Sequence, residues 1–314
     1  ACVRVSSNQP VSVYALNKAV RSSDATLVLP VTCLGTSYVV MSCKSDMQGL
    51  GVLNTNSTPS QFCVVAAEDN TEVTITPSTP TTGKGSVEQK IMLQSGQSYL
   101  VQSVFTAANN GGYDLTGTTV SSSKAVAVFG GHQRARISIT NTSGSRDHLY
   151  EQLLPTSVWG TRYVLTPFVQ PMGGWATGSD RFRVLASQDS TQVFVNGSRV
   201  AILDARSSYE ADLTTGALLT ATKKVSVALF KKTAGIGSSS PGDPFLMIIP
   251  PRRQYSTSYR FGTMQSNGVY NQHYITVTVV TADVPTLRLD GARMTSRSEE
   301  HTSELQSRQY LVCR

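Results

Sequence analysis

The sequence predicts an all-β protein built from tandem β-sandwich-like modules. Charged residues make up only 15% of the chain, and short β-branched runs alternate with Ser, Asn, Pro and Gly, which is typical of strands and turns. No segment keeps the 3.6-residue period of a helix. A three-step pattern also recurs along the chain. These observations favour stacked β-modules, and a β-propeller made of the same repeats is the alternative.

Each copy of the pattern opens with an alternating strand, at residues 11–14, 126–129 and 225–228. An apolar stretch closed by proline follows, and an aspartate precedes that stretch in every copy. The aspartates are Asp24, Asp147 and Asp243, and the prolines are Pro30, Pro155 and Pro250.

A turn with a tyrosine and then a hairpin complete each copy. The tyrosines are Tyr38, Tyr163 and Tyr259, and the hairpins span residues 64–75, 184–195 and, less clearly, 277–289. Residues 114–118 also match residues 212–216 ahead of the next opening strand. The repeats therefore run approximately over residues 1–122, 123–222 and 223–296. At roughly 100 residues each, they are longer than the units of solenoid proteins.

Residues 297–314 match the translation of a sequencing adapter, with a variable index between two matching segments. We therefore expect this tail to be non-native and exclude it from fold reasoning. The domain prediction is one repeat-containing region over residues 1–296, with both ends incomplete.

Four cysteines precede the tail, all in the first fifth of the chain: Cys2, Cys33, Cys43 and Cys63. An even, clustered number predicts two disulfides in an oxidising compartment. Pairing Cys33 with Cys43 and Cys2 with Cys63 is the first hypothesis. Four cysteines permit three connectivities, and a zinc site or free core thiols are the alternatives.

Three glycosylation sequons, at Asn56, Asn141 and Asn196, lie in polar, turn-like sequence. With the cysteines they predict a secreted, extracellular protein. No apolar run reaches the roughly 18 residues that span a membrane. The net charge of +7 permits nucleic acid, sulfated glycans or acidic mucins as partners. The basic pairs flank strands and turns, however, and no nucleic-acid motif accompanies them, so we expect no nucleic-acid binding.

The strongest enzyme-like group is His132, Asp147, His148 and Glu151, which contains two histidines and two carboxylates within twenty residues. Such residues can bind a metal or transfer protons. Their spacing is not that of a known zinc motif, and Asp147 and His148 point to opposite faces of a strand. We therefore expect structural roles, with Asp147 capping a turn before residues 149–154, no cofactor and no enzyme activity.

The two tryptophans differ in their surroundings. Trp159 lies in the repeated turn and is expected in the core. Trp175 lies in a Gly-rich loop and is the candidate ligand contact, because aromatic anchors dominate many interfaces.

Several motifs together resemble the IgGFc-binding N-terminal domain family. They are residues 62–76, 114–118, 123–132, 147–155 and 159–163. The resemblance covers residues 2–291. It implies a secreted mucus or matrix protein with further domains downstream, and immunoglobulin Fc or mucin-type glycoproteins as partners; it supplies no catalytic residues.

Three functions follow as hypotheses. The chain is expected to be an extracellular interaction module that binds the Fc part of IgG. The alternatives are a structural spacer without its own ligand and a secreted metal-dependent hydrolase.

Overall fold

The structure is a computed structural model that describes residues 2–19, 22–45, 58–104, 112–137, 146–168, 180–232, 244–262, 273–293 and 307–313. Within these ranges the regular elements are β-strands and short 3₁₀ turns, and the paired strands are antiparallel. The prediction of an all-β fold is confirmed. None of the described residues belongs to a helix long and apolar enough to cross a bilayer.

The strands are β1 Val13–Ala19, β2 Ser22–Val28, β3 Gly35–Val39, β4 Ser60–Ala66, β5 Thr71–Thr76, β6 Gln89–Leu93, β7 Ser98–Gln102, β8 Thr119–Ala135, β9 Asp147–Gln152, β10 Gly160–Leu165, β11 Asp180–Ala186, β12 Thr191–Val195, β13 Ser198–Leu203, β14 Ser208–Leu213, β15 Ala217–Lys231, β16 Leu246–Ile249, β17 His273–Val279, β18 Arg288–Leu289, β19 Ala292–Arg293 and β20 Ser307–Cys313.

The first module is a seven-stranded sheet centred on the 17-residue strand β8. Its order is β6-β5-β8-β4-β7, and β3 and β9 also pair with β8. The first part of β8 pairs with β5 and β3, whereas its second part pairs with β4 and β9. β8 thus passes through two half-sheets that fold over one core, which is the sandwich-like form expected from the repeat.

A tyrosine fixes the place where β8 passes from one half-sheet to the other. The register with β3 jumps there from Gly35↔Val126 to Ser37↔Ser121. The Gly35 N–H donates to the Tyr38 hydroxyl at 2.9 Å, and this hydroxyl donates to the Val126 carbonyl at 2.7 Å. The repeated tyrosine of the sequence is therefore a hydrogen-bonded corner that satisfies backbone groups left out of the ladder.

The second module repeats this arrangement strand for strand. Its order is β13-β12-β15-β11-β14, with β10 and β16 also paired to β15. The Gly160 N–H donates to the Tyr163 hydroxyl at 3.0 Å, and the hydroxyl donates to the Val225 carbonyl at 2.5 Å. The sequence repeat is thus a structural repeat. The repeat boundaries that the sequence predicts, near residues 123 and 223, fall inside β8 and β15.

Close glycine–proline contacts link each corner to the next proline-closed segment. A Cβ built on Gly35 would lie 2.6 Å from Cβ of Pro155, and one built on Gly160 would lie 2.3 Å from Cβ of Pro251. These distances leave no space for a side chain, so glycine is required at both corners.

The buried apolar residues form two clusters, and the first crosses from one module to the other. It contains Tyr38 and Phe62 of the first module together with Leu185 and Phe230 of the second. Trp159 also belongs to it and is 2% exposed, as predicted for a core residue. The second cluster lies within the second module, around Tyr163. The modules therefore share a continuous apolar contact.

The third copy differs from the sequence expectation. The expected hairpin over 277–289 is wrong: β17 ends at Val279, a 3₁₀ turn spans Thr281–Thr286, and the hairpin is formed by β18 and β19 instead. Its turn residues Asp290 and Gly291 have φ values of 49° and 81°, as two-residue hairpin turns require. β17 pairs with β20, which lies in the tail predicted to be an adapter.

Candidate functional site

The three proline-closed strands meet along one seam between the modules, where β9 lies between β2 and β16. In the described part of the chain, each of these strands has its backbone ladder with a different partner: β2 pairs with β1, β9 with β8, and β16 with β15. Side chains make the bonds across the seam. The seam residues are Ser22, Asp24, Thr26, Asp147, Glu151 and Gln152.

Asp147 holds the start of β2 against β9. Its Oδ1 accepts hydrogen bonds from the Ser22 hydroxyl, from the Ser23 N–H at 2.9 Å and from the His148 N–H at 2.7 Å. The residue is 4% exposed. Asp147 lies on strand β9, so the expected turn before residues 149–154 is wrong, but its expected structural role fits these bonds.

Asp24 makes the reciprocal contact from β2 to β9. Its Oδ2 accepts from the Tyr150 N–H at 2.9 Å, and its Oδ1 accepts from the Ala25 N–H at 2.8 Å. Burial raises the pKa of Asp24 to about 7, and the backbone hydrogen bonds only partly oppose this. Asp24 and Asp147 therefore explain the aspartate shared by the repeats, while Asp243 lies outside the described residues.

The seam continues through uncharged groups. The Gln152 N–H donates to the Thr26 hydroxyl at 2.9 Å, and the Leu29 N–H donates to Gln152 Oε1 at 2.9 Å. Each bond joins a backbone amide to a side chain on the other strand. Between β2 and β9, side-chain hydrogen bonds therefore take the place of a backbone ladder. Four residues make them: Asp24, Thr26, Asp147 and Gln152.

Glu151 extends the seam to the second module. Its Oε1 accepts from the Ile248 N–H of β16 at 2.9 Å. Burial raises the pKa of Glu151 to about 8, against the hydrogen bonds from Ile248 and Thr26, and nearby Asp24 adds to the rise. Although the residue as a whole is half-buried, its carboxyl group is enclosed between strands.

The four residues of the enzyme-like group do not share a site. His132 is fully buried on β8 and accepts the Arg134 N–H at Nδ1, at 3.0 Å. Asp147 faces the seam, whereas His148 faces away from it and stacks on Tyr150, with ring centroids 6.0 Å apart. Among the described residues, no group of three or more His, Cys, Asp or Glu has the geometry to hold a metal ion. Asp147 and Glu151 bind backbone amides instead.

A polar cavity opens beside His148, between the start of β9 and the β1–β2 hairpin. Its volume is about 460 Å³, and its lining residues are Asn17, Ala19, Ser22, Thr58, Gln133, Arg134, Arg146 and His148. We call it the hairpin pocket. Burial lowers the pKa of His148, so its imidazole is neutral at neutral pH; its Nε2 lies 3.1 Å from Asn17 Nδ2.

A row of side chains beside this pocket forms an open face on the first module. Leu100, Cys63 and Phe129 are register partners across β7, β4 and β8, so they project from the same side of the sheet. Tyr150 of β9 stacks on Phe129 with ring centroids 5.3 Å apart and nearly parallel planes. Leu100 is 55% exposed. These four residues form an apolar patch that ends at His148.

The four described cysteines form no disulfide in the structure, so neither predicted disulfide is present. Cys33 and Cys43 lie beyond opposite ends of the extended strand β3, and five residues of strand alone span about 16 Å, too far for a disulfide. That pairing is wrong for this fold. Burial, with a contribution from neighbouring Cys2, raises the pKa of Cys63 to about 11. The Cys2–Cys63 pairing stays a prediction.

The remaining predicted positions are mostly outside the described residues. Trp175, Asn56 and Asn141 fall there. Asn196 is exposed in the turn between β12 and β13, with a φ of 49°. Its Oδ1 accepts the Leu218 N–H at 2.8 Å. The position is compatible with a surface glycan, and glycosylation stays a prediction.

The residue that joins the two modules most closely, Arg183, was not predicted from the sequence. Arg183 of β11 donates to Asp114 Oδ2 at 2.9 Å and to the Ser42 carbonyl at 2.9 Å in the first module, and to Glu210 Oε2 at 2.7 Å in its own module. Its guanidinium lies 5.4 Å from the ring centroid of Phe230. The repeated motif at residues 114–118 was the available signal, because Asp114 belongs to it.

Comparison with known proteins identifies the family. The family model described as IgGFc binding protein matches residues 24–312. The chain belongs to the IgGFc-binding protein family. The resemblance inferred from the sequence motifs is thereby confirmed.

Two individual proteins put this membership in context. The human IgGFc-binding protein is 30% identical over 263 residues, which is 82% of this chain but 4% of the human protein. A Pleurotus ostreatus lectin in its apo form aligns with a TM-score of 0.18 and 10% identity, over 68% of this chain and 84% of the lectin. The second likeness is too low to establish a shared fold.

Proposed function

We propose that this chain is an extracellular protein-interaction module that binds the Fc part of IgG. The observation that carries the proposal is membership of the IgGFc-binding protein family, together with 30% identity to the human IgGFc-binding protein over most of the chain. Secretion, a mucus setting and mucin-type partners belong to the same proposal.

The structure supports a binding role because its enclosed carboxylates serve the scaffold. Asp24, Asp147 and Glu151 each accept backbone N–H groups across the seam. The two modules share one apolar cluster, so loops and strand edges are displayed on a rigid body. Rigid presentation reduces the conformational entropy that binding removes.

The open face is the surface we assign to the Fc contact. It combines the exposed Leu100 with two stacked aromatic rings, Phe129 and Tyr150. Aromatic residues in a partly enclosed patch are the usual high-energy contacts of protein interfaces. The equivalent face of the second module is occupied by the first module, so only the first module presents it.

The test is surface plasmon resonance of the chain on immobilised Fc, with Fab as the reference surface. We expect saturable binding to Fc and none to Fab. Leu100→Asp should weaken binding by about tenfold or more, because it places a charge in the apolar patch. The matched control is Ile202→Asp on β13, where the residue is 58% exposed and lies outside the open face.

The outcomes separate the function from the surface. Absence of Fc binding by the folded wild-type chain would overturn the proposed function and leave the structural spacer. If wild type and both variants bind Fc equally, the chain binds Fc but not through the open face. Circular dichroism of each variant establishes that it is folded.

A further inference from the structure

The hairpin pocket has a charge pattern that the proposed Fc contact does not use. Arg134 and Arg146 line it, and none of the described lining residues is acidic. The nearest carboxylate in the sequence, Asp147, is 4% exposed and accepts the Ser23 and His148 amides. Among the described lining residues, the pocket therefore presents two cations and no carboxylate.

The rest of the lining consists of neutral groups that make hydrogen bonds. Asn17 and Gln133 contribute amides, Ser22 contributes a hydroxyl, and the neutral His148 contributes an imidazole. Amides and hydroxyls both donate and accept, which suits the hydroxyl groups of a sugar ring. Guanidinium groups bind planar or tetrahedral oxyanions through paired N–H donors.

The size of the cavity favours a ligand larger than a free anion. Its volume of about 460 Å³ lies in the range of small-molecule sites, about 300–1,000 Å³. The lining is also built on regular structure, because Asn17 and Ser22 lie on β1 and β2, Gln133 and Arg134 on β8, and His148 on β9. Strand-borne groups hold a ligand more rigidly than loop residues do.

We propose that the hairpin pocket binds an anionic sugar, meaning a saccharide that carries a carboxylate or a sulfate ester. The arginines bind the oxyanion, and the amide and hydroxyl groups bind ring hydroxyls. This activity is separate from the proposed Fc contact and does not rest on it. It would give the chain a second partner class, acidic glycans.

The experiment is isothermal titration of the full chain with three sugars that contain lactose. Sialyllactose carries a carboxylate, 6-sulfolactose carries a sulfate ester, and lactose is neutral. We expect at least one acidic sugar to bind saturably and lactose to bind about tenfold more weakly or not at all, since paired guanidinium contacts are lost. Whichever acidic sugar binds identifies the source of the anion.

Two substitutions locate the binding. Arg146→Gln should reduce affinity about tenfold, and Asn17→Ala should reduce it without changing the charge. The matched control is Arg162→Gln on β10, which removes the same charge from an exposed position outside the pocket. Thermal unfolding of each variant verifies the fold, and the Asn17 variant serves if the Arg146 variant is unstable.

Three results would overturn the proposal. The first is no binding of either acidic sugar, and the second is equal binding of lactose. The third is equal weakening by Arg162→Gln and Arg146→Gln, which would indicate a diffuse charge effect. Loss of Fc binding in these variants is not expected, so the two proposals fail independently.

Discussion

The two modules have the same strand order and pairing, but the equivalent face of the sheet has a different role in each. The register places Cys63 of β4 between Leu100 and Phe129, and it places Arg183 of β11 between Glu210 and Ala228. In the first module this face is the open face. In the second it is covered by the first module, and residues 225–231 of β15 are buried throughout.

The difference shows how a repeat can change its surface without changing its backbone. Arg183 enters the junction with a carboxylate on either side, Asp114 and Glu210. Burial opposes its charge, but these carboxylates raise the pKa of Arg183 above its ordinary value. Burial would raise the pKa of Asp114, but the charge of Arg183 and the hydrogen bonds from Thr116 and Arg183 together lower it below its ordinary value. The junction between the modules therefore combines the ion pairs of Arg183 with an apolar contact.

Breaking the junction should have the largest effect. Arg183→Ala leaves Asp114 without its buried partner and removes the bond to the Ser42 carbonyl. We expect the free energy of unfolding to fall by about 3–5 kcal/mol, the usual cost of breaking a buried ion pair. Urea denaturation followed by circular dichroism measures this change.

Arg181→Ala is the matched control for that substitution. Arg181 lies on the same face of the same strand and pairs with Glu210 and Asp212 at 3.1 and 3.3 Å, within its own module. Partly exposed pairs contribute about 0–1 kcal/mol. Equal losses from the two substitutions would show that Arg183 has no special role at the junction.

The corners should respond alike in the two modules. Gly35→Ala and Gly160→Ala each place a methyl group within 2.6 Å of a proline, Pro155 or Pro251. We expect each to lower the free energy of unfolding by about 1–3 kcal/mol through overpacking. A thermal melt of both variants tests whether the corners are equivalent.

Gly262→Ala controls for the loss of glycine itself, because nothing lies within 4 Å of a Cβ built there. Its effect should stay within about 0.5 kcal/mol, as for other exposed positions. A neutral Gly35→Ala beside a costly Gly160→Ala would mean that the first corner packs more loosely than the second.

The buried carboxyl groups of the seam should make the protein less stable as pH rises. Carboxylates whose pKa is lowered by folding have the opposite effect. Because the pKa values of Asp24 and Glu151 are raised to about 7 and 8, the folded chain holds protons that the unfolded chain releases. The stability contribution is therefore greatest near pH 4–5 and is lost as pH rises through 7 to 8. The melting temperature measured from pH 5 to 8.5 should fall over this interval.

Glu151→Gln isolates one of these groups, since the amide oxygen can still accept the Ile248 N–H. We expect this variant to be more stable than wild type at pH 8.5, by about 1–2 kcal/mol, and equal to it at pH 5. Glu72→Gln, at an exposed position on β5, is the control. If Glu151→Gln has the same pH profile as wild type, the Glu151 carboxyl does not contribute to the pH dependence of stability.

Local patterns in the sequence were sufficient to predict the repeat and to mark its recurring tyrosines and aspartates. The spacing of Tyr38 and Tyr163 from their glycines marks the corners, and Asp24 and Asp147 recur because each holds neighbouring strands at the seam. The corners can be detected from the period because they return at equivalent positions, whereas the aspartates lie six and eight residues before Pro30 and Pro155.

The long-range features could not be predicted in this way. Arg183 contacts Asp114 across 69 residues of sequence, and its equivalent in the first module is Cys63, so the repeat offers no second example. The hairpin pocket gathers residues from β1, β2, β8 and β9, which only the fold brings together. The sequence predicts that Asp147 caps a turn before residues 149–154, but β9 begins at Asp147. The polar residues obscure the alternation of a strand because this edge is bonded through side chains.

Native-state hydrogen exchange measures most directly whether the two modules form one body. If Arg183 and the seam join them as described, the central amides of β8 and β15 should exchange with the same free energy of opening, equal to that of global unfolding. Arg183→Ala should lower both values together. Protected amides in β15 beside readily exchanging amides in β8, in the wild-type chain, would contradict the account.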